Sequence, residues 1–163
     1  MTDKPHPWAR LDWPPVWTAG AIALAWLGAS VMPWPVLGVP GQVLGAVLAL
    51  AGLGLMAAAV VEMRRAATTV IPRRTPSALV TSGVFEFSRN PIYLGDLFVT
   101  AGAMLWLQVP WALPMLGVLA HLLTRRFIEA EEQRLTETFG AEFTLWAART
   151  GRWFGRRGPS PQV

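Results

Sequence analysis

Residues 42–61 read QVLGAVLALAGLGLMAAAVV, a run with no charged side chain. As a helix rising 1.5 Å per residue it is roughly 30 Å long, the thickness of a bilayer's hydrocarbon core. Gly41, Gly45, Ala49 and Gly52 fall on one face of that helix, the small-residue spacing that lets membrane helices approach closely. Outward from this run, three further apolar stretches occupy residues 16–32, 92–109 and 111–124. The last is short for a span, and is expected to continue through Arg125 as one helix that leaves the membrane. The predicted fold is all-α: one polytopic membrane domain over residues 1–163, with four transmembrane helices and a cytoplasmic cap built from residues 62–91 and 125–157.

Composition agrees with that reading. Of 163 residues 53% are hydrophobic and 15% charged, against roughly 25% charged in soluble domains. With no cysteine, disulfides, thiolate metal sites and a cysteine nucleophile are excluded, and no metal site is expected. The net charge of +4 reads as membrane orientation and not as nucleic-acid binding, because the basic residues cluster beside the apolar spans. Arg64, Arg65, Arg73, Arg74 and Arg89 lie in one cluster; Arg125, Arg126, Arg134, Arg149, Arg152, Arg156 and Arg157 lie in the other. The connections 33–41 and 108–110 carry no charge. Both basic segments and both termini are therefore expected in the cytoplasm, with Trp8, Trp13 and Trp17 at the inner interface and Trp34, Trp106 and Trp111 at the outer one.

Several residues do not suit a passive bundle. Asp96 is the acidic residue inside the apolar spans, a costly position unless it faces protein, water or a ligand. Tyr93, Asp96 and Thr100 share a helical face. Upstream, Asn90 and Pro91 suit the N-cap and first-turn positions, leaving helix amides aimed at the cytoplasmic loop, where an anion is welcome. On the fourth helix Glu131 and Glu132 stand on the face of Ile128, Leu135 and Phe139, where apolar residues are expected. They pair with arginines of the 64–89 segment, accept from a cationic or hydroxyl-rich ligand, or do both. Arg125 and Glu129 are spaced for an i, i+4 pair. His121 is too far along the helix from Glu132 to share a small site, and is expected to bond between helices.

Residues 79–95, LVTSGVFEFSRNPIYLG, followed by residues 131–140, EEQRLTETFG, resemble the isoprenylcysteine carboxyl methyltransferase and phospholipid methyltransferase families. The likeness joins Arg-x-Pro-x-Tyr-x-Gly to a Glu-Glu pair ahead of Leu and Phe-Gly. It implies an integral-membrane enzyme that uses S-adenosyl-L-methionine, with cofactor contacts from Leu79, Val80, Phe85, Asn90, Pro91, Ile92, Tyr93, Gly95 and Glu131, supported by Arg89 and Glu132. Arg89, Glu132 and Asp96 are the catalytic candidates, Asp96 or Glu132 because an ammonium or thiol acceptor must first lose a proton, and Asp96 and Arg126 are the expected substrate contacts. The expected acceptor is a lipophilic small molecule, a lipidated substrate or a membrane lipid, the first expectation being O-methylation like that of isoprenylcysteine. Phospholipid-amine N-methylation, thiol S-methylation and a non-catalytic membrane subunit are the other readings.

The resemblance has gaps. The family member acting on prenylated cysteine has histidine where this chain has Ser77, tyrosine where it has Phe85, and a carboxylate-binding arginine where it has Phe127. Arg125 or Arg126 is the candidate substitute, although neighbouring positions on a helix point about 100° apart.

Overall fold

The computed structural model describes residues 13–32, 37–69 and 76–155. Trp8, Trp34, Arg73, Arg74, Arg156 and Arg157 lie outside them. Six α-helices follow in order: α1 Pro14–Val31, α2 Gly38–Arg65, α3 Pro91–Trp106, α4 Met115–Leu123, α5 Glu129–Phe139 and α6 Ala141–Arg149. Short 3-10 turns occupy Gly83–Glu86 and Pro110–Ala112, and a π-helical turn, Thr124–Ile128, joins α4 to α5.

Two of these helices, α1 and α2, are long and apolar enough to cross a membrane. Both present apolar side chains outward, among them Leu24, Leu27, Val43, Leu50 and Leu53. Such a surface is a liability in water and ordinary in lipid. The expected third and fourth spans are shorter helices, α3 with 16 residues and α4 with 9.

The small-residue face of α2 meets α3. A Cβ on Gly45 would stand 2.6 Å from the Gly102 carbonyl oxygen, and one on Gly102 would stand 2.5 Å from that of Gly45. Gly52 and Gly95 repeat the arrangement, each placing a hypothetical Cβ 2.7 Å from the other's carbonyl oxygen. Backbones this close leave no room for side chains, so the predicted packing face is realised, with its partner glycines on α3. At the Gly38 end of α2, Gln108 ties the pair together. Its Oε1 accepts from the Leu37 amide at 3.0 Å, a donor that the start of α2 leaves without a helical partner, and its Nε2 donates to the Gly38 carbonyl at 3.0 Å.

The fourth apolar stretch does run on without a break into α5, as its sequence suggests, but through the π turn. Widening the helix by one residue there lets adjacent Phe127 and Ile128 both be buried, at 2% and 0% exposed, while Arg125 and Arg126 face outward. His121 is exposed, and among the described residues the interhelical bond expected of it is not made.

Candidate active site

The loop before α3 is fastened from three sides. On the α2 side, Ser82 Oγ donates to Glu62 Oε2 at 3.2 Å, and Gly83, at φ +61°, sits against the Glu62 side chain. Ser77, standing where a histidine occurs in the prenylcysteine enzyme, closes the loop's start by donating from Oγ to the Ala67 carbonyl at 2.8 Å. From the far side comes the segment after α6. The Arg89 amide donates to the Gly151 carbonyl at 3.0 Å, the Gly155 amide to the Phe87 carbonyl at 2.9 Å, and Asn90 Nδ2 to the Arg152 carbonyl at 3.0 Å.

Asn90 does occupy the N-cap position and Pro91 the first turn of α3. No side-chain capping bond is made by Asn90, however; its Nδ2 is turned toward the Arg152 carbonyl instead. The third fastening is ionic: Arg89 Nη2 lies 3.1 Å from Glu132 Oε1.

Glu131 and Glu132, neighbours in sequence, have different partners. Glu132 is held between Arg89 and Arg152, whose Nε and Nη2 donate to its two oxygens at 3.1 and 2.6 Å. The Glu132 carboxylate in turn holds the Arg152 guanidinium above its ordinary pKa. Glu131 turns the other way and accepts from the Tyr93 hydroxyl at 2.8 Å. Burial pushes the Glu131 carboxyl above the usual glutamate range, against the opposing pull of that hydrogen bond and of Arg134.

Between these elements lies a cavity of about 290 Å³, near the lower end of the roughly 300–1,000 Å³ of small-molecule sites. Leu79, Val80, Phe85, Arg89, Asn90, Ile92, Tyr93, Asp96 and Glu131 all line it. Nine of the residues singled out in the sequence thus come together although they are spread over 53 positions. Asp96 is only 5% exposed.

Four others are placed differently. Pro91 is buried at the start of α3. Glu132 sits behind the cavity wall, acting on Arg89. Gly95 faces Gly52 and Met56 in the α2–α3 contact, a packing position. Arg126, the expected substrate contact, lies over the Trp17 ring at 5.1 Å, on the outside of the bundle, and Arg125 pairs with Glu129 at 3.1 Å. Neither stands at the position of the missing arginine, where the side chain, Phe127, is buried and stacked on Tyr93 with ring centroids 6.3 Å apart.

The cavity also has walls that sequence reasoning passed over: Trp13, Pro14 and Pro15 at the start of α1, Met56 and Met63 of α2, and Arg134 and Trp146 beyond the glutamate pair. The turn prolines and interfacial tryptophan of α1 look like helix-start signals, and nothing local marks them as lining residues.

Compared with protein families, residues 41–142 match the phospholipid methyltransferase family model, more than half of the chain. The chain belongs to the phospholipid methyltransferase family. No curated protein and no solved structure shows significant similarity to it. The family match takes in α2 from Gly41, the fastened loop, α3, α4 and the glutamate pair, while α1 and the cavity-lining Trp146 of α6 lie outside it. This phospholipid methyltransferase family member therefore completes its cavity with elements at either end of the matched region.

Proposed function

We propose that the protein is a membrane-embedded methyltransferase that uses S-adenosyl-L-methionine and methylates a lipophilic amine. The observation that carries this reading is the gathering of the motif residues around one cavity in a chain of a methyltransferase family. The donor set fits the cofactor. Arg89 and Arg134 suit its carboxylate, Glu131 suits a ribose hydroxyl or an ammonium, and Phe85, Tyr93 and Trp146 offer aromatic faces to a purine. When bound, the cofactor supplies an electrophilic methyl group on a sulfonium. The chain's own task is then to hold an acceptor in line with it and to keep water out.

Asp96 favours an amine acceptor over a carboxylate. It is a buried carboxyl in the cavity wall near the Thr18 hydroxyl, and no ion pair joins it to a described cation. It would attract an ammonium and take its proton, and it would repel a carboxylate. With Phe127 filling the place of a carboxylate-binding arginine, O-methylation of a prenylcysteine has no anchor. In this reading α3 and α4 complete four spans, and the cap with its arginines lies on the cytoplasmic side.

The test is calorimetry with S-adenosylhomocysteine on the detergent-solubilised protein, followed by mass spectrometry of a lipid extract incubated with labelled cofactor. A stoichiometric site and a methylated lipid amine are expected. A protein that binds no S-adenosylhomocysteine would instead be a structural membrane subunit.

A further inference from the structure

A second cavity, of about 650 Å³, lies between the same three helices as the first. The cofactor-side cavity touches Trp13–Pro15 of α1, Met56 and Met63 of α2, and Ile92–Asp96 of α3. The second begins where that one stops. Along α1 it runs from Ala19 to Trp26, along α2 from Ala49 back to Gly45, and along α3 from Val99 to Leu107. Every described residue lining it is apolar. The two follow one another along the same three helices, α1, α2 and α3.

At their junction stands Asp96, 5% exposed, and opposite it Thr18, 7% exposed, whose hydroxyl is buried without a partner at hydrogen-bond distance. From Asp96 to Trp106 the groove extends roughly 15 Å along the α3 axis.

We propose that this groove holds the hydrocarbon chain of the acceptor, that the amine sits at Asp96 and Thr18, and that it is carried directly on the chain with no phosphate between them. The proposal rests on the methyltransferase reading above. Three observations support it. The apolar lining matches a hydrocarbon chain and runs across the bilayer beside α1 and α2. The buried carboxylate at the groove's inner end complements an ammonium. Finally, no cation is among the described residues lining the groove, whereas Arg89 and Arg134 belong to the other cavity. A phosphodiester placed between amine and chain would be buried against methyl groups without a counterion, which is strongly disfavoured.

In the transfer, Asp96 takes a proton from the ammonium. The freed nitrogen lone pair forms the new N–C bond as the sulfonium's C–S bond breaks, with that bond's electrons remaining on sulfur. α1 contributes the wall that sets chain length, and it lies outside the family-matched residues.

The test uses the full-length protein in nanodiscs. A series of n-alkylamines from octylamine to hexadecylamine is compared with phosphatidylethanolamine by mass spectrometry of methylated products. A diazirine-tagged hexadecylamine is photo-crosslinked in parallel without cofactor. Turnover should rise with chain length until the groove is filled, exceed that of phosphatidylethanolamine at least tenfold, and the crosslinks should map to 19–26, 45–49 and 99–107. Ala23→Leu, which fills the groove from an exposed position of α1, should lower turnover of the longest amines about tenfold and spare octylamine. Methylation of phosphatidylethanolamine with none of the alkylamines, crosslinks confined elsewhere, or equal loss at all chain lengths in Ala23→Leu would overturn the proposal. S-adenosylhomocysteine binding is measured on the same samples: its absence refutes the methyltransferase reading, while its presence without alkylamine turnover refutes the groove assignment alone.

Discussion

Arg152 reaches back 20 residues to close on Glu132 with two hydrogen bonds, the shorter 2.6 Å. The same carboxylate receives Arg89 at 3.1 Å. One glutamate thus sits between two guanidiniums, and the cluster carries a net positive charge beside the cavity. Glu131, one residue earlier, has no share in it.

The two glutamates should therefore fail differently. Glu132→Gln leaves two partly buried arginines facing each other. It should cost roughly 2–3 kcal/mol of stability, below the 3–5 kcal/mol of fully buried pairs because Arg152 is partly exposed. Glu131→Gln should leave the melting temperature within a few degrees and weaken S-adenosylhomocysteine binding at least tenfold. Thermal unfolding and calorimetry on both variants check this; equal melting temperatures for the two would contradict the division of roles.

Tyr93→Phe removes the hydroxyl that holds Glu131 and leaves the ring stacked on Phe127. A hydrogen bond to a charged group contributes about 1.5–3 kcal/mol, so the variant should lose about that much, a larger effect than ring packing alone would give. Because the two side chains form one unit, Tyr93→Phe and Glu131→Gln should be non-additive. A double-mutant cycle that sums to the singles within about 0.5 kcal/mol would rule out the coupling.

Burial raises the Glu131 carboxyl, so its folded state binds a proton more tightly than its unfolded state does. Its contribution to stability is therefore complete below the unfolded glutamate value and declines as pH rises through the interval up to the folded value. Cofactor affinity should move the opposite way, since the ionised carboxylate is the better acceptor. Titrating S-adenosylhomocysteine across the acid range should show affinity rising with pH, with its midpoint above the ordinary glutamate value. Glu131→Gln should abolish that step; an identical profile in the variant would assign it to another group.

Gly95→Ala asks whether Gly95 belongs to packing or to the cofactor. A Cβ there meets the Gly52 carbonyl and the Met56 side chain. Overpacking of this kind costs about 1–3 kcal/mol. The variant should melt lower while its folded fraction binds S-adenosylhomocysteine as the parent does.

Arg89→Lys should keep the fold and lose about a hundredfold in methyl transfer, because a point-charge ammonium cannot reproduce the planar fork that meets Glu132 and faces the cavity. Rates at saturating cofactor, with thermal unfolding as control, check it. Near-parental turnover would show that charge alone is enough.

What the sequence determined by itself is local or periodic. The charge-free run 42–61, the one-sided glycines of α2, Asn90-Pro91 at a helix start, the Arg125–Glu129 pair and the out-of-place Asp96 are each decided within a turn or two of chain. Backbone geometry carries such signals directly. The residues around Leu79–Tyr93 and Glu131 were legible as a group because their types and order follow a family pattern.

What only the tertiary structure decided is which distant groups meet. Glu131 and Glu132 point about 100° apart on the helix, so which of them faces Arg152 and which Tyr93 depends on how α5 lies across α3. Asn90 carries a good capping side chain, yet it bonds to Arg152, 62 residues away. Gly95 reads as part of a cofactor motif, yet the structure sets it in the close approach of α2. Arg126, the expected substrate contact, lies over Trp17, with Phe127 inside, because of the π turn after Leu123. Each outcome depends on the relative placement of whole helices, which packing settles and no short stretch of sequence encodes.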